Sequence, residues 1–398
     1  MPRHYLDHAA TTPMLDRARE AYVDELSRVG NPSALHTSGR LARSVVEDAR
    51  ERMAAALGAH ATEVIWTSGG TEADNVAIKG LFWARHGADP RRTRIVTTAI
   101  EHHAGLDPAH WLEAEHGATV VVLPVGSDGR VDLDALRAEV AENFDQIALV
   151  SVMWANNEVG AIQPMREIVN IATEHDIPVH ADAVQAVGHV PVDFRGAGLA
   201  TMAVSAHKFG GPVGVGVLAA RRDLTITPLT HGGGQERKVR SGTLNAAGFH
   251  AASIAAEEAV ATLDAEAQRL GALQRQLIDR IRHAIPEARL SGPEPGPQRL
   301  PGNVHFVFPG CAAEAMMFVL DSHGVEASNG SACSAGVAQA SHVLIAMGRA
   351  ERDAASTMRF SLGHTTTQDD LDALMRALPE AVDKARRVAG TFDSATFG

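Results

Sequence analysis

The stretch Val204-Ser205-Ala206-His207-Lys208-Phe209-Gly210-Gly211-Pro212 decides how the chain is read. An apolar run, residues 199–204, leads into a hydroxyl, a small residue, a histidine and a lysine, and a glycine-rich turn follows. A lysine at the end of a buried strand is costly unless something consumes its charge. One reading is an ordinary strand end whose ammonium reaches water. The other is covalent: a desolvated amine turns nucleophilic and condenses with an aldehyde as a Schiff base. Nine residues leave both readings open, so the other strand ends must decide.

Working outward, short β-rich segments alternate with helical ones. The expected strands are Val64–Thr67, Arg94–Thr98, Thr119–Leu123, Ile147–Met153, 179–181, Thr201–Ser205 and 214–219. Helices are expected at Asp16–Leu26 and 38–57, and others starting near Glu72, Gly105, Asp132, Met165 and Gln185. That alternation predicts an α/β fold, a mostly parallel seven-stranded sheet covered by helices. Ligands in such sheets bind at the carboxyl ends of the strands. An alanine-rich run, 245–284, predicts one long helix, and the proline- and glycine-rich loop 291–297 punctuates the chain after it. Shorter strands (303–308 and Thr357–Ser361) and helices near Ala313 and Asp369 then predict a smaller α+β domain. The expected division is a large domain, 14–258, and a small domain, 259–398, joined by the N-terminal segment 1–13.

Composition bounds the rest. The 398 residues are 45% hydrophobic and 21% charged, as in a globular protein of two or three domains. A net charge of −12 disfavours a surface that coats nucleic acid. Neither a leader at Met1-Pro2-Arg3-His4 nor a bilayer-length apolar run is evident, so a cytoplasmic protein is expected. Two cysteines, Cys311 and Cys333, make no disulfide framework. No Cys-x-x-Cys or His-Glu-x-x-His spacing points to a metal.

The other strand ends carry polar residues with related uses. Thr67-Ser68-Gly69-Gly70-Thr71-Glu72 is a glycine turn opening a helix, which either presents N–H groups to a phosphate or simply caps. Glu101-His102-His103 follows the Arg94–Thr98 strand; its histidines suit catalysis, capping or stacking on a flat cofactor. Asn156-Asn157-Glu158 forms a turn or donates to a ligand. In His180-Ala181-Asp182-Ala183-Val184-Gln185, the Asp182 carboxylate needs a cation, either an arginine or a protonated pyridine nitrogen. Together these residues are hard to explain as independent caps.

At this point the chain resembles the class V aminotransferase-like, fold-type I pyridoxal phosphate enzymes. Within them it is similar to the cysteine desulfurases of the first, housekeeping-type group. The resemblance runs from Tyr5-Leu6-Asp7-His8-Ala9-Ala10-Thr11-Thr12-Pro13 to Arg359-Phe360-Ser361-Leu362-Gly363. Its most specific pieces are the Gly69-Gly70-Thr71 turn, Asn156-Asn157-Glu158-Val159-Gly160, the Asp182 segment and His231-Gly232-Gly233-Gly234-Gln235-Glu236-Arg237. Arg240-Ser241-Gly242-Thr243 and Ser331-Ala332-Cys333 complete the set. The resemblance implies that Lys208 forms the Schiff base, His102 stacks on the pyridine ring and Asp182 pairs with its nitrogen. Asn157 and Gln185 would contact the ring hydroxyl. Gly70, Thr71, Ser205 and His207 would hold the phosphate, with Thr243 supplied by the neighbouring subunit of a homodimer. Arg359 and Asn31 would take the substrate carboxylate. Ala206, Val184, Gln235, Asn329 and Ser334 depart from the family's common residues, and none of them removes a catalytic group.

Cys333 separates desulfurases from their pyridoxal relatives. Its surroundings, 328–338, are rich in Ser, Gly and Ala, which predicts a surface loop rather than core. A free cysteine is usually buried, so one on such a loop suits a reactive thiol. The resemblance then implies removal of sulfur from L-cysteine, leaving alanine and a persulfide on Cys333. The acceptor of that sulfur is an iron–sulfur scaffold, a tRNA-thiolation enzyme or a DNA-modification system. The competing readings are a selenocysteine lyase, an aminotransferase with an idle Cys333, and a sulfur-carrying scaffold without catalysis.

Overall fold

The computed structural model describes residues 3–330 and 340–395. Its central sheet has seven strands in the order Val64–Thr67, Gly216–Ala220, Thr201–Ser205, Val179–Asp182, Ile147–Met153, Arg94–Thr98, Thr119–Leu123. Five of them, from Thr201–Ser205 to the Thr119–Leu123 edge, pair in parallel. Gly216–Ala220 runs antiparallel to both of its neighbours, so Val64–Thr67 points the same way as the five. Six carboxyl ends therefore meet at one edge. Ile147–Met153 is buried along its whole length, as a strand covered on both faces must be.

Helices cover the two faces. Gly70–Ala88 lays Ala73, Ala77, Ile78 and Leu81 against Ile65, Leu149, Ala203 and Leu218. On the opposite face Val46, Met53, Ile168 and Phe249 pack with Val150, Val152, Met202 and Val204. There Trp66 stacks on Phe249 with ring centroids 4.4 Å apart.

A second apolar cluster gathers Leu277, Phe306, Phe360, Leu374 and Leu378 with Leu6 from the N-terminal segment. It surrounds an antiparallel sheet, Thr357–Ser361, Asn303–Val307, Arg289–Leu290, and a parallel pair, His4–Tyr5 with Val325–Glu326. The N-terminal segment is thus stitched to the C-terminal part of the chain before it crosses to the large sheet.

Two sequence expectations need correction. The alanine-rich run is two helices, Ala246–Ala261 and Leu263–Ala284, meeting at Thr262. The helix expected near Gln185 is a run of turns, 184–189, interrupted at Gly188 with φ of +79°. A left-handed residue so soon after the strand leaves no room for helical pairing. Among the described residues, no helix is long and apolar enough to cross a membrane.

Candidate active site

The aligned strand ends surround a cavity of about 270 Å³. Lys208 enters it from the short 3-10 turn Ala206–Lys208, directly after the strand Thr201–Ser205. Its Nζ donates to the main-chain carbonyls of Ala9 (2.7 Å) and Ala10 (2.8 Å). Ser205 and His207 line the same side. His207 Nδ1 lies 3.2 Å from Thr11 Oγ1, and burial, with Lys208 nearby, pushes the imidazole down to about 4. It is therefore neutral near pH 7.

Facing these residues is the turn before helix Gly70–Ala88, where Gly70 and Thr71 reach the cavity. The first N–H groups of a helix lack intrahelical partners and carry the positive end of its dipole. Space here is tight: a Cβ on Gly70 would lie 2.6 Å from Val184 Cγ2, and one on Gly216 would lie 2.6 Å from the Gly69 α-carbon. Glycine at 216 lets the two backbones approach so closely, and glycine at 70 leaves room for the Val184 side chain. The result is an open cradle of N–H and hydroxyl donors.

Asp182 ends its strand and lines the cavity, with Oδ1 accepting from the Val184 N–H at 2.9 Å. Burial, reinforced by Asp74, raises its pKa to about 7. A carboxylate in that condition gains a great deal from a nearby cation. His102 caps the helix His103–His116, its Nδ1 accepting from the Ala104 N–H at 3.0 Å. The cavity-lining ring therefore carries its proton on Nε2 when neutral, and burial lowers its pKa.

Asn157 and Gln185 complete the walls, and Gln185 Nε2 donates to the Ala9 carbonyl at 2.9 Å. Arg359 arrives from the other sheet, opposite His305 in register, and is 3% exposed. Its Nη1 donates to Asn157 O (3.0 Å) and its Nη2 to Asp7 Oδ1 (2.9 Å).

Ten residues singled out in the sequence thus meet in one cavity. Asn31 and Thr243 do not line it: both are exposed, and Asn31 Oδ1 accepts from the Ser33 N–H within its own turn. Cys333, with Ser331 and Ala332, lies outside the described residues. Gly330, two residues before Ala332, does line the cavity. Cys311 is buried away from the site, its thiol pushed up chiefly by burial.

Sequence reasoning gave Asp74 no functional role. It sits on the apolar stripe of its helix with Ile78 and Leu81, and a carboxyl group within such a stripe is itself a signal. Buried at the cavity wall, it meets His180 Nε2 through Oδ1 at 3.1 Å, and its Oδ2 has no hydrogen-bond partner among the described residues. Burial raises Asp74 to about 8 and lowers His180 to about 4. In the unfolded chain Asp74 releases its proton near 3.8, whereas the folded chain keeps it to about 8. Stability is therefore lost progressively as pH rises through that window, by up to about 1.4 kcal/mol per unit. Asp74→Asn cannot titrate, so its apoprotein is expected to gain Tm relative to wild type between pH 5 and 8. Parallel wild-type and variant melting curves across that range would refute the assignment.

The donor set fits the cofactor that the resemblance implies: a helix N-terminus with hydroxyls, a carboxylate and an amine line one cavity. A scan of protein families matches residues 4–374 to aminotransferase class-V. The chain is 52% identical over 385 residues to an IscS-like cysteine desulfurase of Mycobacterium tuberculosis, covering 97% of this chain and 98% of that one. A solved NifS-like protein superposes with a TM-score of 0.87 at 34% identity, covering 96% of this chain and 99% of its own. A structure described as SspA in complex with cysteine matches at a TM-score of 0.78 and 30% identity, over 92% of this chain and all of that one. With a family match across nearly its whole length and a relative this similar, the chain belongs to the class-V aminotransferase family, among its cysteine desulfurases.

Proposed function

We propose that the cavity is the active site of a pyridoxal phosphate-dependent cysteine desulfurase acting on L-cysteine. The observation that carries the reading is the meeting of Lys208, Asp182, His102 and Arg359 in one cavity beside a glycine-lined cradle. When bound, pyridoxal phosphate supplies an aldehyde for an amine and a ring that takes up electrons.

Each residue then has a task. Gly70, Thr71, Ser205 and neutral His207 hold the phosphate. Asp182 would keep the ring nitrogen protonated, His102 would pack against the ring, and Asn157 and Gln185 would address its hydroxyl. Arg359 takes the substrate carboxylate, and Lys208 removes the proton from the substrate α-carbon. The Cys333 thiolate attacks the substrate sulfur. A sulfur–sulfur bond forms, the carbon–sulfur bond breaks, and its electron pair stays with carbon, which is protonated to give alanine. The persulfide on Cys333 then passes to a sulfur acceptor, an iron–sulfur scaffold or a tRNA-thiolation enzyme, in the cytoplasm.

We further propose a homodimer, in which the neighbouring subunit supplies Thr243 to the phosphate. Exposed apolar side chains around Asn31 support this, Val29 being 88% and Leu35 89% exposed. Strongly exposed apolar side chains close together in the sequence are the kind of surface a neighbouring subunit covers.

The test is Cys333→Ala. The variant is expected to bind the cofactor with its absorbance band intact and to lose persulfide and alanine formation from L-cysteine. Unchanged alanine formation would overturn the role of Cys333 and leave an aminotransferase-like or lyase reading in its place.

A further inference from the structure

We infer that Asp7 is a positioning residue for carboxylate recognition, holding the Arg359 guanidinium so that its remaining N–H groups meet the carboxylate of an α-amino acid. This rests on the reading that Arg359 takes the substrate carboxylate. A guanidinium has five N–H groups in one plane. Asp7 takes one from Nη2 and the Asn157 carbonyl takes one from Nη1, which fixes the plane at two points. The Nε–H is buried and has no partner among the described residues, although Arg359 lines the cavity. An unpaired donor on so buried a cation is costly, and an anionic ligand in the cavity would satisfy it.

Asp7 is well placed for this task because its backbone is part of the same sheet edge. Asp7 bridges Ser361 in parallel, two residues along the strand from Arg359. The Ser361 N–H donates to Leu6 O at 2.8 Å, the Ala9 N–H donates to Ser361 Oγ at 2.9 Å, and the Tyr5 hydroxyl donates to Asp7 O at 3.1 Å. Acid and arginine are therefore set by one framework rather than by a free side-chain encounter. Among the described residues, Asp7 is the acid in ion-pair contact with Arg359. The same segment then offers the Ala9 and Ala10 carbonyls to Lys208. Four consecutive residues thus tie the arginine that would receive a carboxylate to the lysine that works beside an amine. That shared segment links the carboxylate end of such a ligand to its amine end.

The experiment titrates holoenzyme with L-cysteine and with cysteamine, which lacks the carboxylate, reading the change in cofactor absorbance. The observable is the ratio of the two apparent Kd values. Arg359→Ala is expected to reduce the preference for cysteine by about tenfold or more. Asp7→Ala is expected to reduce it by a similar factor while leaving cysteamine binding nearly unchanged. Asp7→Asn, which keeps the shape and an acceptor oxygen, is expected to recover part of the preference and guards against a folding defect in the alanine variant. If Asp7→Ala weakens both ligands equally, or weakens neither, while Arg359→Ala abolishes the preference, the inference fails alone. If Arg359→Ala keeps the preference, the carboxylate reading fails and the inference with it.

Discussion

Lys208→Ala is expected to lower alanine formation from L-cysteine by about 10⁴-fold or more. In the proposed function the lysine has two tasks, and both would be lost. As the group that moves the α-proton, it contributes about 10²–10⁴-fold. As the proposed covalent anchor, it would hold the cofactor in place, which adds a further factor. Borohydride reduction is expected to fix the cofactor's mass on the wild-type chain and not on the variant. The fold should survive, because Lys208 is half-buried and the Ala9 carbonyl keeps its bond from Gln185. Removing the Nζ leaves acceptors short of a donor, at about 1–3 kcal/mol for a buried group and less where water enters. A small primary amine added to the variant is expected to restore part of the rate, which a purely structural lysine would not permit. Turnover within tenfold of wild type would end the assignment.

Much of this site was legible before any coordinates, for a physical reason. A parallel sheet covered on both faces demands continuous apolar strands, so Ile147–Met153 and Thr201–Ser205 stand out with their bounds. A polar residue just past such a strand has to be there for something, and topology sends six of those ends to one edge. Lys208, Asp182 and His102 were readable for that reason. The Asp7–Arg359 pair was not, because its members are 352 residues apart and no local periodicity reports a contact between the two ends of the chain. The break at Thr262 escaped notice because alanine favours helix on both sides of it. The two-residue strands His4–Tyr5 and Val325–Glu326 are too short to carry any alternation. Asn31 and Thr243 show a different limit. Their motifs are plain in the sequence, yet a single chain leaves both outside the cavity.

Asp182→Asn is expected to lower turnover by about 10²–10³-fold, the range for removing one preorganised charge partner from a reacting centre, while the cofactor still binds. Asparagine keeps the shape and the oxygen that accepts from the Val184 N–H. It cannot carry the negative charge that, in the proposed function, would hold a proton on the ring nitrogen, so the ring would take up electrons poorly. Stability should move the other way. The folded chain keeps the Asp182 proton to about pH 7, whereas the unfolded chain releases it near 3.8. Between those values rising pH favours the unfolded state, and the loss persists above them. The asparagine apoprotein escapes that loss, so its Tm above pH 7 is expected to equal or exceed that of wild type. A carboxylate kept for structure would show the reverse, with Tm falling and any loss of rate following from misfolding. Rate and stability measured on the same preparation at pH 8 therefore separate the two. A variant that is less stable and otherwise as fast as wild type would show that Asp182 serves the fold rather than the cofactor.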